Sequence, residues 1–340
     1  MDYQLSGIRS SNLNASQLNQ SNPDRFALLR LSQTLADSST DFSQQRIDRL
    51  NATFRHRNDT ITFGRQALSW GNGLVFNPLD RINPFAPNQI DKSYKPGVDM
   101  LSGQKSLRND DQLSWFILPK RATFNEKVTY DASSFGIKWY HFSPNSNRDF
   151  QWLLLKDEQE QLFGWQLTEN SDYGLWNLDL LWSYDQTYRK NTLSALLNWQ
   201  NSLSIFDRQT VLFGELFYNG YGSALTHTMA DNLPSRLVDL QAAGKLFSTH
   251  RYYSAIGASA EIYPLLNINA TLISNWQDKS QLLALELIYS VSDNDQWLLS
   301  WQQPFGQRGS EFMGLQSATS PNRQNNSGSV ALQWQHYFSY

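Results

Sequence analysis

The 340-residue chain contains no cysteine. This absence excludes disulfide bonds and thiolate-bound metals, and it agrees with passage through an oxidising compartment. No stretch approaches the ~20 consecutive apolar residues that a membrane-spanning helix needs. Only 17% of the residues are charged, and the formal net charge of −3 is too small to suggest a nucleic acid partner. The first thirty residues have no basic segment followed by an apolar run, so we predict no secretory signal peptide in this sequence.

Aromatic residues are abundant in a chain that is otherwise polar. They make up 14% of the sequence, with 12 Trp, 15 Tyr and 19 Phe, yet the mean hydropathy is −0.53. A soluble protein with this aromatic content normally combines a thick apolar core with a charged surface. A transmembrane β-barrel accounts for both observations, because each strand presents an apolar face to lipid and a polar face to the lumen.

Alternation of apolar and polar residues recurs in segments of about ten residues, as expected for barrel strands. Segments 174–184, 190–200, 265–275, 280–291 and 295–303 show it most clearly. In the first of these the predicted lipid face carries Trp176, Leu178, Leu180, Trp182 and Tyr184. Large aromatic residues lie near the strand ends, as in interfacial girdles, whereas a soluble β-sandwich usually places them in mid-strand. The pattern therefore favours the barrel over the soluble all-β alternative.

Counting such segments predicts an all-β fold, a transmembrane antiparallel up-and-down β-barrel of about 16–18 strands. The candidate strands are 24–35, 43–56, 59–67, 98–107, 111–120, 133–142, 148–157, 159–168, 174–184, 190–200, 209–219, 236–247, 252–262, 265–275, 280–291, 295–303, 308–317 and 328–340. Segments 308–317 and 98–107 alternate most weakly, so sixteen strands remain an alternative. Residues 24–340 would form the barrel, with a polar periplasmic segment at residues 1–23. The longest connections would then lie outside, at 68–97, 121–132, 220–235 and 318–327.

The chain ends on an alternating strand with aromatic side chains at Trp334, Phe338 and Tyr340. This strand resembles the C-terminal recognition strand of Gram-negative outer-membrane β-barrel proteins, although it lacks the glycine that is usual near Gln333 to Gln335. The resemblance implies an outer-membrane location, with membrane lipid and the barrel assembly machinery as partners and with Phe338 and Tyr340 as the assembly signal. An ordinary amphipathic strand is the alternative. Residues 64–85 also resemble a stretch of some large barrels of this class, which implies no assigned chemistry.

The connection 68–97 is the most unusual segment, because it is long and carries Pro78, Pro84, Pro87 and Pro96. Loops of this length are commonly functional, and prolines reduce the entropy lost on ordering. We hypothesise that the loop folds inward and narrows the pore. Its candidate constriction residues are Asp80, Arg81, Asp91 and Lys92. An external cap or lid is the alternative.

Charged residues on the face opposite each apolar face are predicted to point into the lumen. The basic ones come from early strands and the acidic ones from later strands; they are Arg30, Arg49, Arg55 and Lys138, and Asp179, Glu215, Asp239, Glu261 and Glu286. Two arcs of opposite charge would set up a transverse field that orients polar solutes. Alternatively, these charges solvate the lumen and pair locally, and Lys245 already breaks the segregation.

A barrel of this size holds open an aqueous channel, so we expect a porin-like outer-membrane channel for passive diffusion of small polar solutes. A homo-oligomer, or a protein partner at the loops, is compatible with this function. The alternative function is a non-conducting structural or assembly-partner barrel. We predict no cofactor and no metal site, because His56, His227, His250 and His336 show no metal-ligand spacing.

An enzymatic alternative rests on His141 and Ser143. Their His-x-Ser spacing resembles that of outer-membrane phospholipase A, in which a serine nucleophile is activated by a histidine. Pro144 departs from that family's pattern, and the predicted topology places the motif at the periplasmic rim. We therefore predict that the protein is not an enzyme.

Overall fold

The computed structural model describes residues 2–9, 27–37, 41–87, 95–122, 127–226, 228–317 and 326–336. Within them seventeen strands belong to one antiparallel sheet. The strands are β1 (Asp2–Arg9), β2 (Ser32–Asp37), β3 (Asp41–His56), β4 (Asp59–Gln66), β5 (Val98–Ser106), β6 (Gln112–Leu118), β7 (Ser134–Ser143), β8 (Arg148–Asp157), β9 (Glu160–Ser171), β10 (Gly174–Asp185), β11 (Lys190–Ile205), β12 (Arg208–Tyr218), β13 (Tyr252–Tyr263), β14 (Leu266–Asn275), β15 (Gln281–Ser290), β16 (Asp295–Phe305) and β17 (Ser329–His336). The helices are α1 (Ser235–Ala242) and two 3-10 turns, Arg108–Asp110 and Ala230–Asn232. In the described ranges, no helix has the length and apolar character needed to cross a bilayer.

From β3 to β17 each strand pairs with the next one in the chain, which is up-and-down connectivity. Strands β1 and β2 both pair with the first half of β3, through residues 41–49 and 42–46 respectively. The fold is an all-β transmembrane barrel of antiparallel strands, which confirms the predicted fold class and strand number.

The two ends of the barrel differ in the length of their connections. At one end, called the short-turn end, residues 57–58, 107–111, 144–147, 172–173, 206–207, 264–265 and 291–294 join the strands. The turn at Phe206 and Asp207 has positive φ at both residues, which matches the twist of a two-residue hairpin. The opposite, long-loop end carries residues 67–97, 119–133, 219–251 and 306–328. Residues 2–9 pair with the half of β3 that lies at the long-loop end. From the sequence, residues 1–23 were predicted to be a polar periplasmic segment.

Alternation along the strands separates an outer from an inner face. In β10 the side chains of Trp176 and Trp182 are exposed, whereas Asn177, Asp179 and Leu181 are buried on the other face. The outer face is the apolar one predicted from the sequence. We call the opposite face the inner face.

Burial of the inner face changes along the strands. On β8, Leu153, Leu155 and Asp157 are buried near the long-loop end, while Asp149 and Gln151 are only half-buried near the short-turn end. The interior is therefore packed in its long-loop half and open to water in its short-turn half. The connection between β4 and β5 packs against the wall in the long-loop half.

Two predicted strands are absent. Residues 236–247 begin in helix α1, where Leu237 and Leu240 lie one helical turn apart and are buried beside Tyr221. Residues 308–317 form turns with a single bridge between Gly309 and Leu315. Because both strands are missing, the strands between residues 252 and 303 run opposite to the predicted direction, while the long connections still share one end.

Candidate functional site

We call the connection between β4 and β5, residues 67–97, the inner loop, because the parts of it that the structure describes lie against the inner face of the barrel. Its described parts are residues 67–87 and 95–97. The ring of Trp70 packs on Phe116 of β6, with 5.0 Å between ring centroids. Further along, Phe76 stacks on Phe217 of β12 at 4.9 Å and approaches Tyr253 of β13. The loop thus crosses the inner face from β5 to β13.

A single carboxylate on the barrel wall anchors the tip of the inner loop. Glu215 of β12 accepts hydrogen bonds from the backbone N–H groups of Leu74, Val75 and Phe76, at 2.5, 3.1 and 2.9 Å. The side-chain amide of Asn198 donates to the same carboxylate at 3.0 Å. Consecutive N–H groups that converge on one anion form a concave anion site, here supplied by the loop and filled by the wall. The Glu215 side chain is buried, so water does not compete for these hydrogen bonds.

A glycine is required at the turn before these three N–H groups. A Cβ atom on Gly73 would lie 1.7 Å from the carbonyl oxygen of Phe76 and 2.7 Å from the Leu196 side chain. Neither atom can move far, since one is backbone and the other belongs to a buried wall residue. The close approach of loop to wall therefore depends on the missing side chain.

An ion pair closes the base of the inner loop. The Lys95 ammonium lies 2.5 Å from Oδ2 of Asp80, and it also donates to the carbonyl of Leu68 at 2.5 Å and to Ser69 Oγ at 3.1 Å. Burial raises the pKa of the Asp80 carboxyl to about 6, although the charge of Lys95 opposes the shift. Burial also lowers the pKa of Lys95. The Arg49 guanidinium on β3 donates to the Lys95 carbonyl and so ties this base to the wall.

A buried network joins the inner loop to the loops of the long-loop end. Glu160, at the start of β9, lies 2.6 Å from Arg81 of the inner loop and 3.0 Å from Arg236 of α1. The hydroxyl of Tyr221 donates to the same carboxylate at 2.6 Å. Burial raises the pKa of Tyr221, which keeps the hydroxyl as a donor. Arg236 reaches Asp185 as well, at 2.5 Å.

A second group of charges holds the neighbouring loops together. The Lys245 ammonium lies 2.7 Å from Asp157 and 2.8 Å from Glu158. Lys120 approaches the same two carboxylates at 3.4 and 3.2 Å. Despite the cost of its burial, the charges of Lys245 and Lys120 lower the pKa of Glu158. The loops at 119–133 and 219–251 are therefore fixed to the connection between β8 and β9.

Beside the inner loop, a cavity of about 590 Å³ extends along β13 to β17. The inner loop contributes Phe76 and Pro87 to its lining, and β16 and β17 contribute Gln302, Pro304 and Ser329. The loops of the long-loop end complete the lining with Phe247, Glu311 and Phe312. The inner loop thus divides the long-loop half of the interior into a packed side and an open side.

The predicted lumen charges occupy different environments. Asp179 and Glu215 are buried on the inner face, and the ammonium of Lys138 lies 5.6 Å from the ring centroid of Trp70. Glu286 accepts from Asn269 at 3.3 Å. Of the remaining predicted lumen charges, Arg49 is half-buried, and Arg30 and Arg55 are exposed. Glu261 is exposed beside the turn at 264–265.

The prediction that Asp239 points into the lumen from a strand is wrong. This residue lies on helix α1 rather than on a strand, is exposed, and accepts from the Tyr188 hydroxyl at 2.7 Å. Of the constriction candidates, Asp80 and Arg81 are buried in the networks above. Several predicted residues lie outside the described residues, namely Asp91, Lys92, His227, Phe338 and Tyr340.

A buried ion pair joins two of the early strands. Arg65 of β4 pairs with Asp99 of β5 at 2.7 Å, and both side chains are buried. The backbone N–H of Leu29 donates to the same aspartate at 2.7 Å. Neither residue belongs to the predicted lumen charges, so the two arcs of opposite charge stay a prediction.

The enzymatic pair of the sequence analysis is not assembled in the structure. His141 Nδ1 lies 2.7 Å from Asp111, whereas Ser143 Oγ accepts from Ser146 Oγ at 2.9 Å. Both residues lie near the short-turn end. His141 and Ser143 therefore bond to different residues and not to each other.

Sequence reasoning missed Glu160 and Arg236, two centres of the buried network. Glu160 could have been found, because it lies on the inner face of β9 by the same parity as buried Leu162. Arg236 could not, since its position depends on a helix where a strand was predicted.

The inner face, the packed loop and the up-and-down strands define the fold of a transmembrane β-barrel. The structure is similar to Wzi, an outer-membrane protein involved in group 1 capsule assembly in Escherichia coli and described as a carbohydrate-binding β-barrel. That similarity has a TM-score of 0.51 and 9% identity, over 77% of this chain and 67% of that one. OccAB1 of Acinetobacter baumannii aligns with a TM-score of 0.48 and 8% identity, over 87% of this chain and 76% of that one. No protein-family model matches the sequence, and no curated protein matches it.

Proposed function

We propose that the protein is a porin-like channel of the Gram-negative outer membrane, through which small polar solutes diffuse passively past the inner loop. One observation carries the proposal. The inner loop is packed against the wall from β5 to β13, and the cavity of about 590 Å³ separates it from β16 and β17. A loop that occupies one side of the interior narrows the passage and leaves the other side for solutes.

The inner face supports the passage of polar rather than apolar solutes. Near the short-turn end it carries Ser202 and Ser204 of β11, which are exposed, and Asn267 and Asn269 of β14, which are half-buried. Hydroxyl and amide groups keep such a surface wet without binding one ion strongly. Solutes would therefore meet a hydrated vestibule below the inner loop.

The anchors of the inner loop set the width of the opening. Glu215 fixes the tip, the Asp80–Lys95 pair fixes the base, and Arg81 fixes the segment between them through Glu160. Because these contacts are buried, the loop should hold one position rather than fluctuate across the lumen.

The outer-membrane location rests on the exposed apolar side chains of the outer face and on the fold shared with Wzi. Membrane lipid and the barrel assembly machinery are the partners that this location requires. The role of Phe338 and Tyr340 as the assembly signal belongs to the same proposal.

Conductance in a planar lipid bilayer tests the proposal. The purified protein should give discrete current steps, and proteoliposomes should swell in small sugars more rapidly than in large ones. As a matched control, the protein is heat-denatured and added at the same detergent concentration. Current no greater than in this control, from protein shown to be inserted, would contradict the channel.

A barrel that binds a carbohydrate and passes nothing is the second candidate. The cavity favours it, because the aromatic rings of Phe247 and Phe312 lie among the polar groups of Gln302 and Thr249. Concave sites with aromatic walls and a few polar groups are suited to small organic ligands. The fold is shared with Wzi, which is a carbohydrate-binding β-barrel. Binding of an oligosaccharide without any conductance would favour this candidate over the channel.

A further inference from the structure

Three side chains that are distant in sequence meet at the long-loop end. His250 precedes β13, Asp278 lies between β14 and β15, and Glu311 lies between β16 and β17. The Nδ1 atom of His250 is 3.2 Å from Oε2 of Glu311 and 3.8 Å from Oδ2 of Asp278. All three ligand atoms lie within 4.8 Å of one another. One imidazole nitrogen and two carboxylate oxygens therefore surround one point.

The charges of this cluster do not balance. The side chains of Asp278 and Glu311 are 4% and 10% exposed, and His250 is fully buried. Among the described residues, His250 is the sole ion-pair partner of either carboxylate. Buried carboxylates are ordinarily paired with cations or coordinated to metal ions. A single imidazole supplies at most one positive charge to two carboxylates.

The hydrogen bonds around His250 determine what its Nδ1 atom offers. The backbone N–H of Gln277 donates to Oδ1 of Asn275 at 3.0 Å, which fixes the orientation of that amide. The Nδ2 group of Asn275 then faces both Nδ1 of His250, at 2.8 Å, and Oε2 of Glu311, at 2.6 Å. Because Nδ2 can only donate, Nδ1 of His250 accepts and carries a lone pair.

The Asn275 amide occupies this lone pair, and Nδ1 and Oε2 of Glu311 are two acceptors only 3.2 Å apart, which repel each other. A cation between them removes the repulsion, and neutral imidazole with ionised carboxylates is the protonation state in which these groups bind metals. His250 Nε2 is also buried and has no hydrogen-bond partner in the described part of the chain. The cluster therefore lacks positive charge where its ligand atoms converge.

We propose that His250, Asp278 and Glu311 form a site for a divalent transition-metal ion, with Zn²⁺ as the ion to test. Ligand atoms about 2.0–2.2 Å from zinc are about 3.3–3.6 Å apart in tetrahedral geometry. The distances from Nδ1 of His250 to the Glu311 and Asp278 oxygens, 3.2 and 3.8 Å, are close to this value. Imidazole nitrogen with carboxylate oxygen suits Zn²⁺ better than Ca²⁺ or Mg²⁺, which prefer oxygen alone. On binding, the ion replaces the contact of the Asn275 amide with Nδ1.

The surrounding groups hold the ligands in place. The Tyr253 hydroxyl donates to Oε2 of Glu311 at 2.6 Å, and the backbone N–H of Thr249 donates to Oε1 at 2.9 Å. The backbone N–H of Glu311 donates to Oδ2 of Asp278 at 2.7 Å, which holds the Asp278 carboxylate next to the backbone of the other ligand. Such outer hydrogen bonds orient metal ligands and support their affinity. The ion would link three loops beside the cavity that Glu311 lines, and this inference stands whether or not the barrel conducts.

Metal content and affinity test the site on the full chain, folded in detergent. The protein is treated with EDTA, dialysed against Zn²⁺, and assayed for bound metal by mass spectrometry and for affinity by calorimetry. We expect one equivalent of Zn²⁺ in the parent protein, and an affinity reduced at least about tenfold in Glu311→Gln and His250→Gln. The control is His336→Gln, whose imidazole pairs with Asp295 at the other end of the barrel.

The parent protein also gives a readout that needs no variant. Its unfolding temperature should rise when Zn²⁺ is added after EDTA treatment, because an ion that binds only the folded state stabilises it. Barrel folding of every variant is verified by its heat-dependent mobility on gels. Binding of less than a quarter of an equivalent, or equal binding by the Glu311→Gln and parent proteins, would overturn the site. So would an unfolding temperature that Zn²⁺ leaves unchanged.

Discussion

The carboxylate of Glu215 accepts the backbone N–H of Phe76, with 2.9 Å between Oε2 and the nitrogen. In Glu215→Gln, an amide N–H group replaces one acceptor oxygen and faces the loop donors. We expect a loss of about 1–3 kcal/mol of folding free energy for each buried donor left unsatisfied. Single-channel recordings should show larger and noisier currents, because the tip of the inner loop is released.

The matched control for this variant is Glu169→Gln. Glu169 pairs with Arg148 at 3.2 Å, and both side chains are exposed near the short-turn end. An exposed pair of this kind contributes about 0–1 kcal/mol, so the control should conduct like the parent. Currents in Glu215→Gln that match those of the control would show that the anchor does not limit the opening.

The pKa of Asp80 predicts how stability depends on pH. The folded pKa is about 6 against 3.8 in the unfolded chain, so the folded protein holds this proton more tightly. The resulting stabilisation is present below the unfolded value and is lost as the pH rises through 6. A shift of about two pKa units corresponds to about 3 kcal/mol. We expect the free energy of unfolding to fall by this order between pH 4 and pH 7, relative to Asp80→Asn.

The measurement is denaturant unfolding in detergent, followed by tryptophan fluorescence, at several pH values for both proteins. Only the difference between the two curves is interpreted, because other groups titrate in both. Parallel curves over this range would refute the contribution of Asp80.

Neutralising Glu160 should cause one of the largest losses of folding free energy. In Glu160→Gln, Arg81 loses its buried partner at 2.6 Å, and Arg236 loses one of two carboxylates. Breaking a buried ion pair by removing one partner costs about 3–5 kcal/mol, because the remaining charge is uncompensated. Limited proteolysis should then cut the loop at 219–251 more rapidly than in the parent.

Asp59→Asn is the comparison for this prediction. The Lys105–Asp59 pair spans 3.5 Å and both side chains are about half exposed, so its loss should cost less than about 1 kcal/mol. If the two variants unfold at the same denaturant concentration, the network does not hold the loops.

Arg55 tests whether charge on the wall of the lumen affects permeating ions. It lies on β3 opposite Thr60, on the face away from exposed Phe54. A unit charge about 10 Å away across water changes the energies of a cation and an anion by about 0.4 kcal/mol each, in opposite senses. Arg55→Gln should therefore shift the cation-to-anion permeability ratio towards cations by about fourfold at low salt, and by less at high salt. Arg49 is less suitable, because its guanidinium also holds the Lys95 carbonyl.

Reversal potentials in a salt gradient give this ratio. The control is Arg148→Gln, which removes a charge from the exposed pair on the outer side. An unchanged ratio in Arg55→Gln would remove this residue from the determinants of selectivity.

The wall of the barrel was predictable from sequence, because contact with lipid on one face and polar groups on the other imposes a period of two residues. The alternation in 174–184 assigned Trp176 and Asp179 to the correct faces. The same rule failed at residues 236–247. There Leu237 and Leu240 lie three residues apart, which suits one face of a short helix and not one face of a strand, and the helix follows Pro234 in a loop rather than in the wall.

The sites formed by loops were beyond sequence reasoning. His250 has no metal-ligand spacing with any neighbour in sequence, and it meets Glu311 only because β12–β13 and β16–β17 connections converge at one end. Likewise, the residue that anchors Phe76 follows it by 139 positions. Period and spacing report local structure, whereas these contacts depend on how the barrel brings distant strands together.

The course of the inner loop also constrains the order of assembly. The loop leaves β4 early in the chain, yet its tip is held by Glu215 of β12 and by the ring of Tyr253 on β13. A nascent barrel that has completed only β11 offers neither contact, so the loop must remain undocked until more than half of the strands are in place. Late strands thus complete the fold of an early segment, and a chain cut after Ile205 should expose Phe76 to protease even where its own strands have formed.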